Sequence, residues 1–323
     1  MPEIAYSVIV PDLHSPRIGE VLESLLRQEV EKGSYEILVV GRDRHGVVRE
    51  QERKDKRVSF LESERDLNPA EARNRGVKAA RGRLVFFIDA DCIAETGWMA
   101  TLLKAYGEGN PVVGGPIWFD ADTKPPHPDP LPGGERGSWK GMGSYWVLCD
   151  NVAHFHDLLP DIGRGPNRHF MLATANMLIE KAILEKIGMF DESFPRSQDF
   201  EMSLKIRKAG YDLFFEPSAR IIHKPVRDTF GAVLRHSAAW ARHSIRVRTK
   251  YREILNTPWF LFHPMILRML SPVIASAVTA KIFLRHPCVR RYWYTFPVAF
   301  LTKIVWCWVV AREVAAGRHD NRR

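Results

Sequence analysis

Leu84 to Asp91 read LVFFIDAD, five apolar side chains running straight into two carboxylates. A short, continuous apolar run bounded by Gly82 and an acidic turn is the pattern of a strand buried on both faces. If extended geometry persists, Asp89 and Asp91 stand two residues apart on the same side. Paired acids at a strand end suit a hard divalent cation bridging phosphate oxygens. An aspartate there is also a common turn former or N-cap, so the tripeptide alone leaves both readings open.

Upstream, strand and helix alternate. Ser7 to Pro11 (SVIVP), Tyr35 to Val40 (YEILVV) and Val58 to Leu61 read as strands. Arg17 to Gln28 carries Ile18, Val21, Leu22 and Leu25 at helical spacing, and Asn68 to Ala80 reads as a helix broken at Gly82. Downstream, Ala175 to Ile179 and Leu213 to Phe215 read as strands, with helices near Lys181 to Ile187 and from Asp199 to Ala209. The alternation predicts an α/β fold, a mostly parallel Rossmann-like sheet with helices on both faces and ligands at the carboxyl ends of the strands. Between Pro116 and Trp139 prolines and glycines take over for longer than an ordinary connection, and a functional loop or lid is expected.

Charge is distributed unevenly. Residues 235–323 hold 16 Lys+Arg against 3 Asp+Glu, whereas 1–234 hold 31 against 35. The basic end is therefore expected to meet something anionic, and the body does not read as a nucleic-acid binder. Trp259 to Leu284 and Tyr292 to Ala311 are apolar stretches near the roughly 20 residues that span a bilayer. Arg268, Lys281 and Lys303 interrupt them, Pro264, Pro272 and Pro297 would kink them, and basic residues flank every end, against the positive-inside tendency. The expectation is a body over 1–230 and a helical segment over 231–323 lying on an anionic membrane surface, with Trp293, Trp306 and Trp308 as anchors. A two-span hairpin and a soluble packing or dimerisation module are the other readings, so homo-oligomerisation stays open. Cys92, Cys149, Cys288 and Cys307 show no C-x-x-C spacing and no signal peptide follows Met1, which places the globular part in the cytoplasm, on the inner face of the cell membrane.

Two further features carry chemistry. Ser197-Gln198-Asp199-Phe200-Glu201 opens an amphipathic helix; the acids are either cap and first-turn charges or, for Asp199, a general base at the rim of a site. Ile221-Ile222-His223 ends a short apolar stretch on an imidazole, a residue type that is structural more often than metal-ligating.

In order along the chain, SVIVP, EILVV, NPAEARNRGVKAARGRLVFFIDADC, VVGGPI, LATANMLIEKAILEKIGMFDESF, QDFEMSLKIRKAGY and IIH resemble the inverting glycosyltransferases of family 2, over residues 7 to about 225. The resemblance implies a GT-A fold and transfer of a sugar from a nucleotide sugar, most naturally a UDP-sugar, to a glycan or lipid-linked acceptor of the cell envelope, assisted by Mg²⁺ or Mn²⁺. Carried over by position, Asp91 would ligate the ion, Asp89 would contact the ribose or the ion's water shell, and His223 would complete the metal or diphosphate site. Asp199 would be the catalytic base. Pro11, Asp12 and Leu13 match the nucleobase-side loop, Arg73 and Asn74 the helix beside the donor, and Ala90 lies between the two aspartates.

There are departures. An acidic pair is expected after the second strand, but Val40-Gly41-Arg42-Asp43 leaves only Asp43 for the base; Gln198 replaces a glutamate before Asp199, and Asp12-Leu13-His14 stands where T-Y-N is commoner. No Q-x-x-R-W follows, which disfavours a processive synthase. Trp118, Trp139, Tyr145 and Trp146 would either stack on sugar rings or pack together. A sugar nucleotidyltransferase would need a glycine-rich phosphate loop that SVIVPDLHSP lacks; a noncatalytic carbohydrate- or lipid-binding relative is the remaining alternative, which the retained acids argue against.

Overall fold

The computed structural model describes residues 4–30, 35–119, 140–159 and 167–317. The chain divides into two compact units, Met1–Trp118 with Gly163–His223, and Phe119–Ile162 with Lys224–Arg323. The second unit also takes a segment from mid-sequence. A composition shift read linearly does not reveal such a recruitment.

The first unit opens with β1 (Tyr6–Leu13), α1 (Ile18–Leu26), β2 (Tyr35–Arg42), α2 (Val47–Lys54), β3 (Val58–Glu62), α3 (Pro69–Ala79) and β4 (Leu84–Ile88). β5 (Cys92–Ala94), α4 (Trp98–Gly107), β6 (Val112–Gly114) and β7 (Ile117–Phe119) follow, β7 beginning where a loop was expected; residues 120–139 of that loop lie outside the described residues. α3 starts where it does because Asn68 caps it: its side chain accepts from the Ala70 and Glu71 amides while Glu71 accepts from the Asn68 amide, with Pro69 in the first turn. α2 escapes a sequence reading because it buries only Val48.

After the mid-chain segment come β8 (Asn167–His169), β9 (Asn176–Glu180), α6 (Lys181–Lys186), α7 (Gln198–Lys208), β10 (Leu213–Phe215) and β11 (Ile221–His223). The main sheet runs β3-β2-β1-β4-β9-β6-β10-β8. β3, β2, β1 and β4 are parallel; β9 is antiparallel to both β4 and β6, and β8 is antiparallel to β10. β1 and β4 pair in register, Ile9 opposite Phe87, so their carboxyl ends emerge side by side. Val85, Phe86, Phe87 and Ile88 are all fully buried, each contributing about 1.5–3 kcal/mol, and this anchors the strand that delivers the two aspartates. Gly41, at φ 138°, faces Asp12 across β1 and β2, and a Cβ there would sit 1.9 Å from the Asp12 carbonyl oxygen. That close approach is the physical reason an acidic side chain has no room at this position.

The second unit is helical: α5 (Lys140–His154), α8 (Phe230–Lys250), α9 (Pro264–Arg285), α10 (Pro287–Arg290) and α11 (Phe296–Ala315). One core joins Ala241 and Ile245 of α8, Leu267 of α9, and Cys307, Val310, Ala311 and Val314 of α11. Trp306 packs against this core and its indole donates to Ser244 Oγ at 3.2 Å, so it is not a surface anchor; Trp293 and Trp308 are 72% and 55% exposed. Tyr145 and Trp146 pack on each other and on Tyr294 and Phe230, with centroids 4.9 to 6.2 Å apart.

Candidate functional site

β4 ends at Ile88 and the chain turns, the Cys92 amide donating to the Asp89 carbonyl at 3.0 Å, before β5 pairs antiparallel with β11. That pairing sets His223 opposite Cys92, which brings His223 Nε2 to 3.5 Å from Asp91 Oδ2. Asp91, Cys92 and His223 form one compact ligand group, each within 4.8 Å of the others. Cys92 is the member that sequence reasoning missed. Its thiol is held neutral, pushed well up by burial and then by the charges of Asp91 and Asp89.

Asp89 takes a different partner. Arg73, almost fully buried on α3, donates to Asp89 Oδ1 at 2.5 Å and lies over the Phe190 ring at 5.7 Å. Arg73 Nε and Nη1 are buried without hydrogen-bond partners, so the guanidinium offers unused donors next to the carboxylate. Asn74, its neighbour, uses its amide on the loop after α6: Nδ2 donates to the Phe190 carbonyl and Glu192 Oε1, and Oδ1 accepts from the Phe190 amide, all at 2.9 Å. In this structure Asn74 positions that loop.

α7 contributes Asp199. It begins at Ser197 with φ 59°, a left-handed conformation costly for a residue with a Cβ, and Ser197 Oγ and Gln198 Oε1 are buried without hydrogen-bond partners. Desolvation pushes the half-buried Asp199 carboxyl above its ordinary range; Arg73 and the first amides of the helix pull it down, and Asp89 pushes it up. Asp199 therefore shares one electrostatic neighbourhood with Arg73 and Asp89.

Beside them, a cavity of about 260 Å³ is lined by Pro11, Asp12, Leu13, Leu67, Asn68, Pro69, Ala72, Pro195 and Arg196. Asp12 Oδ1 accepts from the Ser15 amide at 2.9 Å, while Oδ2 is buried without a hydrogen-bond partner. Burial pushes this carboxyl up to about 7, partly offset by the Ser15 amide and reinforced by the charge of Asp43. Asp43 thus lies near Asp12, but its two oxygens accept from the His45 and Val48 amides and cap α2. Ser15 Oγ donates to the Ala90 carbonyl at 2.6 Å, tying the β1 loop to the turn between the aspartates.

Asn176 also escaped the sequence reading. Wholly buried, it accepts from the Trp98 indole at 2.8 Å and donates to the Pro116 and Ala219 carbonyls at 3.0 and 2.7 Å, holding the approach to β11 in place. The LATANM run contained it but gave no sign of partners so distant in sequence.

The Glycosyl transferase family 2 model matches residues 7–163, and the Glycosyl transferase family group 2 model matches 151–311. An uncharacterized glycosyltransferase of Methanocaldococcus jannaschii is 22% identical over 76% of the chain and 80% of the relative. Glycosyltransferase AglE of Haloferax volcanii is 24% identical over 75% of the chain and 73% of the relative. Among solved structures, the mannosyltransferase PcManGT of Pyrobaculum calidifontis, in complex with GDP-Man and Mn²⁺, superposes with TM-score 0.55 at 18% identity, over 92% of this chain and 85% of that one. S. aureus TarS 1-349 in complex with UDP superposes with TM-score 0.50 at 14% identity, over 99% and 93%.

Proposed function

We propose that this chain, a glycosyltransferase of GT-A fold, belongs to family 2 and moves a sugar from a UDP-sugar to a hydroxyl of a glycan or lipid-linked acceptor, with inversion. The observation that carries this reading is the convergence of Asp199 on Arg73 and Asp89 from elements distant in sequence. A carboxylate whose pKa is raised by burial is a better proton acceptor than a solvated one. Asp199 takes the proton of the acceptor hydroxyl as its oxygen forms the new bond to the anomeric carbon, and the old carbon–oxygen bond breaks with its electron pair leaving on the nucleoside diphosphate.

Asp91 and His223 fit a divalent cation through their compact oxygen and nitrogen donors. Bound there, Mg²⁺ or Mn²⁺ supplies Lewis-acid stabilisation of the leaving diphosphate. In this reading Asp89, held by Arg73, contacts the ribose or the ion's water shell. The cavity of Pro11, Asp12 and Leu13 takes the base, and the one unsatisfied oxygen of Asp12 matches the single imide N–H of uracil better than the paired donors of guanine.

The helical unit serves as a cytoplasmic membrane-surface anchor in this reading. Pro264–Arg285 and Trp293–Ala315 are long and apolar enough to cross a bilayer by length and composition. α11, however, packs along α8, which carries Arg235, Arg242, Arg246, Arg248 and Lys250. A spanning α11 would draw those charges toward hydrocarbon, at about 2.5–3.5 kcal/mol for each central one. Surface attachment leaves them at the headgroups, with exposed Trp259, Met265, Met269, Val273, Trp293 and Trp308 to enter the interface.

The test is nucleoside diphosphate release from a panel of UDP- and GDP-sugars with and without Mn²⁺, on the wild type and Asp199→Asn. Metal-stimulated release from UDP-sugars, lost in the variant while UDP binding persists, is the expected result. Equal turnover in the variant rejects the base assignment, and preference for GDP-sugars rejects the reading of Asp12.

A further inference from the structure

A second compact group of metal-type ligands lies in the helical unit: Asp150 and His154 of α5 and His236 of α8, with ligand atoms within 4.8 Å of one another. Asp150 and His154 are four residues apart and share a helix face, and α8 supplies the third group. Asp150 is fully buried, and the His154 and His236 side chains are 5% and 15% exposed. Asp150 Oδ1 lies 2.7 Å from His236 Nδ1 and 3.1 Å from His154 Nδ1, so both rings turn the same nitrogen to one oxygen. The other oxygen, Oδ2, accepts from Arg227 Nε at 2.6 Å. His154 Nδ1 also lies 3.0 Å from the Asp150 carbonyl oxygen, and Nε2 is buried without a hydrogen-bond partner, so Nε2 can carry the ring proton when a cation takes Nδ1.

We propose that Asp150, His154 and His236 form a second divalent-cation site, of zinc type, that clips α5 to α8. One carboxylate and two imidazoles are the donor set of a borderline cation, whereas Mg²⁺ prefers an oxygen cage. A tetrahedral zinc ion holds neighbouring ligand atoms about 3.3 Å apart. The present contacts need to open by about half an ångström, within the reach of small side-chain rotations. Arg227 on Oδ2 is the outer partner that orients the ligating carboxylate. Its positive charge also opposes the ion, which makes it a diagnostic residue rather than a bystander.

Zinc alone is the probe, used on the full chain by equilibrium dialysis with elemental analysis. An Asp91→Ala, His223→Ala variant is expected to keep one equivalent of zinc, which separates this site from the donor site. Exchanging His236→Gln and His154→Gln, which keeps amide donors toward Asp150, is expected to abolish that equivalent while circular dichroism stays that of the folded chain. Arg227→Gln removes the opposing charge and is expected to tighten zinc several-fold. If the histidine variants do not fold, cobalt(II) titrated into the Asp91→Ala, His223→Ala variant reads the site by the strong visible absorption of tetrahedral coordination. Absence of stoichiometric zinc in the Asp91→Ala, His223→Ala variant, retention of zinc after both histidines are replaced, zinc not tightened by Arg227→Gln, or cobalt without tetrahedral bands overturns the proposal.

Discussion

Two ligand clusters of equal compactness sit in very different surroundings. Asp91, Cys92 and His223 stand at strand ends, where Asp91 is 28% exposed and Asp89 beside it 36%. Asp150, His154 and His236 lie between helices, around a carboxylate that no solvent reaches. Compensation differs as well: Asp12 and Asp199 are held above the ordinary carboxylate range by burial, while His154, His236 and Arg227 hold Asp150 well below it against the opposing effect of burial. The contrast separates an open group of ligands at strand ends from a closed one whose carboxylate is already held by two imidazoles and a guanidinium. In the roles proposed for them, openness more than ligand chemistry separates the two clusters.

The largest effect expected is on Asp199. Asp199→Asn should lower kcat by about 10²–10⁴ with little change in donor affinity, measured by UDP release and by calorimetric binding of UDP. Next comes Asp150→Ala, which leaves Arg227 without its buried partner. A loss of about 3–5 kcal/mol is expected, read as a lower denaturation midpoint, while the same change at exposed Glu29 should be nearly silent. An Asp150 variant as stable as wild type would erase the distinction drawn between the clusters. Asp91→Ala should weaken Mn²⁺-dependent UDP binding by about 10–100-fold and leave metal-free binding unchanged.

The smallest effect is the pH response of Asp12. Its folded pKa of about 7 is raised above the usual 3.8, so the folded chain binds the proton more tightly and loses stability as pH rises from about 4 to 7. The ionised form is the one that accepts a base N–H, so UDP affinity should rise a few-fold as pH climbs through about 7. Asp12→Asn should flatten that profile; a slope that survives the substitution removes Asp12 from the base site.

Much of the first unit was legible beforehand. LVFFIDAD, SVIVP and YEILVV became β4, β1 and β2 because predominantly apolar runs are best buried in the middle of a sheet. The start of α3 was legible from Asn68-Pro69-x-Glu71, a local capping pattern. α2 and α4 were not, the first because it is mostly solvated and the second because Trp98, Met99 and Leu102 sit in a stretch with no N-cap side chain to mark its start. At the site, Asp89, Asp91 and His223 were recognisable as residue types in order, and the resemblance assigned Asp91 to the ion and Asp89 to the ribose or the ion's water shell, but which protein partner each carboxylate takes was not legible. It depends on Arg73 reaching Asp89 and on β11 pairing with β5.

By itself the sequence determined the alternation of strand and helix, the acidic strand end and the basic, aromatic character of the C-terminal region, because each follows from side chains near one another along the chain. Only the tertiary structure decided that Cys92 joins Asp91 and His223, that Asn176 braces the approach to β11, that Trp306 turns inward, and that Asp150 gathers two imidazoles and a guanidinium. Each of those contacts joins residues brought together by sheet register or helix packing, and such pairings leave no periodic trace in a single sequence.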